Sequence, residues 1–143
     1  MNQDTLVAVA RSLFDAFNSR DFARWERNLA PDFVADYPCA PGLGRDAARA
    51  YNAPFAAAFP DLRFDVLRTI VQGDTVVLDG TVGGTLTAPL ASPNGVIPPN
   101  GRKGGVRIVL IAEVRDGKIV REQTVWNQLD LLQQLGVIPG GPA

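Results

Sequence analysis

The sequence predicts an α+β fold in which a curved antiparallel sheet wraps around N-terminal helices. Three observations lead there. Apolar residues recur at helical spacing in the first part of the chain, β-branched and alternating residues take over from Leu62, and Asp116-Gly117 joins two such runs as a tight hairpin turn. Helices followed by a succession of strands bury their apolar faces by closing the sheet over the helices. A chain of 143 residues suits one domain, 1–143, with room for a core and a ligand cavity.

The elements follow in order. With Asp4 as N-cap, Leu6, Val9, Ala10, Leu13, Phe14 and Phe17 form one face of a helix ending near Asn18. Asp21 caps a second helix carrying Phe22, Trp25 and Leu29, and Ala30-Pro31-Asp32 turns the chain into a short strand, Phe33 to Tyr37. A Pro- and Gly-rich loop, Pro38 to Gly44, leads to an alanine-rich helix in which Tyr51, Phe55 and Phe59 share a face. Pro54 lies inside that run, where it either kinks the helix or opens its second piece.

Two strands then pair around the turn at Gln72-Gly73-Asp74. The last pair, Val106 to Arg115 and Lys118 to Asn127, flanks Asp116-Gly117. Regular pairing across that turn sets Arg115 opposite Lys118. It therefore puts Val106, Ile108, Leu110, Ala112 and Val114 on one inward face with Ile119, Arg121, Gln123, Val125 and Asn127. Between the hairpins, residues 88–105 are too long and too rich in Pro and Gly for a simple connector, so a lid is expected. A short helix, Gln128 to Leu135, stops at Gly136. The tail VIPGGPA has no pattern.

Composition narrows the function. With 14 basic and 15 acidic residues scattered along the chain, net charge −1, nothing attracts a phosphate backbone, so no nucleic acid is expected. No apolar run is long enough for a membrane span, and Asp4 stands where a secretory signal wants a cation, which predicts a cytoplasmic protein without membrane contact. The chain has no histidine and one cysteine, Cys39. This removes the commonest metal ligand and general base, so neither metal nor cofactor is expected.

Several phrases, in this order, resemble the SnoaL-like polyketide cyclases of the NTF2-like superfamily. They are AFPDLRFDV at 58–66, QGDTVV at 72–77, GGTLTAPL at 83–90, PPNGRK at 98–103, RDGKIV at 115–120 and LLQQLGVIP at 131–139. The resemblance implies a cone-shaped barrel, a homodimer through the outer sheet face, and cofactorless ring closure of polyketide intermediates by aldol chemistry with an aspartate as acid/base. That aspartate stands nine residues before the Gly of the QLG phrase, where this chain has Asn127. The family's Gly-Thr-His reads Gly84-Thr85-Leu86 here, and Asp36 replaces a frequent histidine. An amide takes up no proton near neutrality, so the aldol mechanism does not transfer unchanged.

The candidate residues each carry two readings. Asn127 polarises a substrate carbonyl, or caps the helix that Gln128 begins. Asp36 is a replacement base raised by an apolar wall, or a solvated carboxylate at a strand end. Gln123 binds a carbonyl or a protein partner. Phe14, Phe17, Tyr51, Phe55, Leu86 and Leu110 are pocket wall or core, and Asn52 resembles a polar cavity position of the cyclases. The expected ligand is a hydrophobic small molecule. Three functions follow: a cyclase working by shape, such as an intramolecular [4+2] closure that needs no base; an aldol-type cyclase using Asp36 or water; and a noncatalytic binder of a hydrophobic metabolite. The missing acid favours the first.

Overall fold

The computed structural model describes residues 2–92 and 95–138; the last five residues of the tail lie outside them. The elements are α1 (Gln3–Ser19), α2 (Phe22–Arg27), β1 (Leu29–Tyr37), β2 (Ala40–Leu43), α3 (Arg45–Ala58), β3 (Arg63–Gln72), β4 (Thr75–Thr85), β5 (Leu90–Ser92), β6 (Gly95–Ile97), β7 (Lys103–Arg115), β8 (Lys118–Trp126) and α4 (Gln128–Gln134). Six strands form one sheet in the order β2-β1-β8-β7-β4-β3. All neighbours are antiparallel except β1 and β8. The amphipathic face of α1 packs across β3, β4, β7 and β8, and α3 rests on β1, β2 and β5. This is the α+β cone that the order of elements predicts. No helix among the described residues is long and apolar enough to cross a membrane.

Local chemistry accounts for the boundaries and for several departures. Asn2, not Asp4, caps α1, accepting from the Thr5 amide at 2.8 Å; Asp4 is left in the first turn, where a negative charge suits the helix dipole. β1 begins at Leu29 and runs through the segment expected to turn at 30–32. Pro31 falls where the β1/β8 ladder shifts register, a place where a missing N–H costs little. Within the loop expected at 38–44, the Asp36 carboxylate accepts from the Gly42 amide at 2.8 Å, and the chain folds back as β2 along β1. α3 passes through Pro54 as one helix. Its C-terminal carbonyls are met by Arg20, whose guanidinium donates to the Ala56 and Phe59 oxygens at 2.9 and 2.6 Å.

Two larger differences matter for function. Within the segment expected as a lid, residues 88–92 and 95–105 contain the β5–β6 ribbon and the start of β7, and the Leu86 carbonyl accepts from the Asn100 and Gly101 amides; residues 93 and 94 lie outside the described ones. Leu86 and Leu90 join Ala58, Phe59 and Leu135 in a small second core. The other difference is a β-bulge. Arg115 pairs with Lys118 and Val114 with Ile119 as expected, but Glu113 then pairs with Arg121, leaving Val120 as an extra residue. Side chains alternate along a strand, so one inserted residue exchanges its faces from there on. Glu122, Thr124 and Trp126 therefore turn inward, while Arg121, Gln123 and Val125 turn out.

Candidate active site

The inner face of the sheet and the helices above it line an apolar chamber. α1 contributes Phe14 and Phe17, α2 Trp25, α3 Asn52 and Phe55, and the strands Phe64, Leu110 and Trp126. Their spacing explains why they converge: Phe14 and Phe17 lie three apart on α1, and Asn52 and Phe55 three apart on α3, so each pair projects from one helix face. Phe14 stacks on Phe64 with ring centroids 4.6 Å apart, and Phe55 meets the Trp126 indole edge-on at 6.4 Å. The free space between these walls is about 80 Å3, well below the ~300–1,000 Å3 typical of sites for drug-sized ligands.

Into this hydrocarbon the bulge delivers a carboxyl group. Glu122 is 4% exposed and, among the described residues, has no ion-pair partner. Tyr37 Oη donates to its Oε1 at 3.0 Å and Thr124 Oγ1 to its Oε2 at 2.5 Å. Asn52 Nδ2 donates to Tyr37 Oη at 3.0 Å and to the Ala48 carbonyl at 2.9 Å. Because the phenol oxygen already accepts from Asn52, its own proton is aimed at Glu122. Loss of solvation pushes the Glu122 pKa up to about 7, and the two hydroxyl donors restrain the rise. Burial and the neighbouring Glu122 push Tyr37 far above the ordinary phenol value, so it stays protonated. Tyr51 stacks behind Tyr37 at 4.7 Å, and burial pushes its hydroxyl up to about 12.

The residues singled out from the sequence separate into two groups. Phe14, Phe17, Asn52, Phe55 and Leu110 line the chamber. Tyr51 stands behind Tyr37, and Leu86 is packed in the second core. Asp36 lies on the outer face, bonded to the Gly42 amide and to the Arg121 guanidinium; these hold its carboxyl below the usual range, the opposite of the rise that a base there requires. Gln123 is exposed, because the bulge reversed its face. Asn127 is exposed and caps α4, accepting from the Asp130 amide at 2.9 Å. Its capping reading is the one the geometry realises.

Glu122, Tyr37, Thr124, Trp25 and Trp126 were not among the candidates. Regular alternation put Glu122 outside, the ordinary place for a charge. The available signal was the large aromatic at Trp126 on the same parity as Glu122, together with the Glu113–Arg121 cross-strand pair that only the bulged register makes. Among the described residues no cluster of acidic or cysteine side chains is arranged to hold a metal ion.

Comparison with known proteins bears on this arrangement. No curated protein matches the sequence. Among solved structures, AclR of Streptomyces galilaeus, provisionally named a hydroxylase, superposes with a TM-score of 0.84 at 25% identity, covering 99% of this chain and 87% of that one. IdmH of Streptomyces antibioticus, provisionally named a polyketide cyclase, gives 0.79 at 26% identity over 94% and 99%. A protein of Jannaschia sp. CCS1, provisionally named a SnoaL-like polyketide cyclase, gives 0.81 at 24% identity over 95% and 94% and shares the fold. The sequence profile of the SnoaL-like polyketide cyclases spans residues 7–135, from the first helix through the last. The phrases, the cone and the chamber thus agree, and the chain belongs to the SnoaL-like polyketide cyclase family.

Proposed function

We propose that this protein closes a carbon–carbon ring in an apolar, polyketide-type substrate by proton transfer at Glu122. The observation that carries the reading is a buried carboxyl group, poised near pH 7, in a chamber otherwise built from hydrocarbon. A general acid/base works best when its pKa lies near the working pH, since both forms are then populated. This replaces Asp36 as the group expected to act.

The chemistry balances without a further reactant. Ionised Glu122 takes a proton from the carbon next to a substrate carbonyl, and the resulting enolate carbon attacks a second carbonyl of the same chain. A C–C bond forms while the attacked C=O becomes an alkoxide, which takes the proton back from Glu122. Tyr37 and Thr124 steady the carboxylate through their hydroxyl protons, and Asn52 keeps the Tyr37 proton directed at it. The aromatic walls hold the reacting carbons together, an orientation effect that reaches ~7–11 kcal/mol in ideal intramolecular cases.

A [4+2] closure remains the second reading, supported by the near absence of polar groups in the wall. In it, protonated Glu122 donates a hydrogen bond to a substrate carbonyl. The pH dependence of kcat/KM separates the two. Proton abstraction gives a rate that rises through about pH 7, hydrogen-bond donation one that falls there, and closure by shape alone a flat profile. A flat profile with full activity in Glu122→Gln sinks the acid/base reading. The homodimer is proposed through the outer sheet face, where Ile70 and Val125 are exposed; a monomer in sedimentation equilibrium overturns it.

A further inference from the structure

We infer that the open groove between α2 and α3 is the outer lobe of the same substrate site and takes an extended apolar arm of the substrate. The inference rests on the chamber being the place of reaction, as proposed above.

The chamber's 80 Å3 or so is too small for a whole polyketide chain. Immediately beside it lies a groove of about 550 Å3 bounded by Phe22 of α2 and by Ala53, Ala56 and Ala57 of α3. The two spaces share a wall, since Phe17, Trp25 and Asn52 line both. Asn52 is thus in contact with the groove while its amide holds Tyr37, which holds Glu122. For a ligand to extend from the groove to the carboxyl group, its arm passes between the Phe17, Trp25 and Asn52 side chains.

The groove's composition selects the chemistry of its occupant. Ala53, Ala56 and Ala57 fall at i, i+3 and i+4 on one helix face, small residues of the kind that ordinarily let a neighbouring helix approach closely. Here the space above them is open and Phe22 is 40% exposed. Two arginines stand at the edge, but both are engaged. Arg20 donates to the Ala56 and Phe59 carbonyls, and Arg49 pairs with Glu26 and Asp46. What the groove presents is hydrocarbon, which suits an alkyl or polyene arm rather than an anionic group.

The test uses phenyl alkyl ketones as probes, from propiophenone to octanophenone, with binding read from the fluorescence of Trp25 and Trp126, the chain's two tryptophans. The phenyl ketone occupies the chamber and the lengthening arm enters the groove. In the wild-type protein each added methylene tightens binding by about fourfold until the groove is filled. Ala53→Leu and Ala57→Leu fill the groove from exposed positions, add no tryptophan to the readout and keep the circular dichroism of the parent. Both leave propiophenone affinity within twofold and abolish the gain from longer arms. A gain per methylene that persists in both variants overturns the inference, as does a wild-type series with no gain. Propiophenone failing to bind overturns the inference together with the chamber reading. Full activity in Glu122→Gln removes the proton-transfer chemistry alone and leaves the chain-length result standing.

Discussion

Asp36 on β1 and Glu122 on β8 occupy adjacent strands one register step apart, since Ala35 pairs with Glu122 and Asp36 with Gln123, yet they face opposite sides of the sheet. Outside, Asp36 has a backbone amide, an arginine and water, and its carboxyl is held low. Inside, Glu122 has two hydroxyls and hydrocarbon, and its carboxyl is pushed up to about 7. The difference teaches that a carboxyl group's chemistry in this fold is set by the face it occupies rather than by its neighbourhood along the chain.

The largest expected effect tests that contrast directly. Glu122→Gln lowers kcat/KM by ~10²–10⁴-fold, the usual worth of a positioned acid/base, whereas Asp36→Asn changes it less than twofold; steady-state kinetics on both variants decide. Equal losses would erase the distinction between the faces.

Tyr37→Phe comes next. Removing a hydrogen bond to the ionised form, worth ~1.5–3 kcal/mol, moves the midpoint of the pH–rate profile upward by about one to two units. A midpoint that stays in place shows that the titrating group is not Glu122.

Stability provides an independent reading. The folded chain holds the Glu122 proton more tightly than the unfolded chain, so the contribution of Glu122 to stability is greatest below about pH 4.5, falls as pH rises towards 7, and is gone above it. A shift from 4.5 to about 7 corresponds to about 3 kcal/mol. Glu122→Gln flattens this dependence and is the more stable protein at pH 8, as urea unfolding across pH measures.

The smallest effects belong to the outward residues. Asn127→Ala costs about 1 kcal/mol as a lost helix cap, seen as a lower Tm with the rate nearly unchanged, and Gln123→Ala falls within about 0.5 kcal/mol of the wild type.

Much of this was legible in the chain itself. The Phe14/Phe17 face of α1, the Asp21 cap, the Asp116-Gly117 turn with both φ angles positive, and the Gly136 stop all rest on local rules that the structure obeys. The phrases at 58–66 through 131–139 carried the family. The β5–β6 ribbon within 88–105 was not legible, because the Pro and Gly content of the segment conceals Leu90, which joins Ala58 and Phe59 in the second core.

The sequence alone determined the principal helices and strands, their order and the apolar face of α1, because caps, turns and periodicity act over a few residues. Tertiary structure decided which carboxyl group enters the chamber. The residue left unpaired at Val120 is fixed by pairing among β1, β7 and β8, not by any local preference, and a one-residue slip inverts every side chain beyond it. From that slip follow the burial of Glu122, its raised pKa, and the outward turn of Gln123.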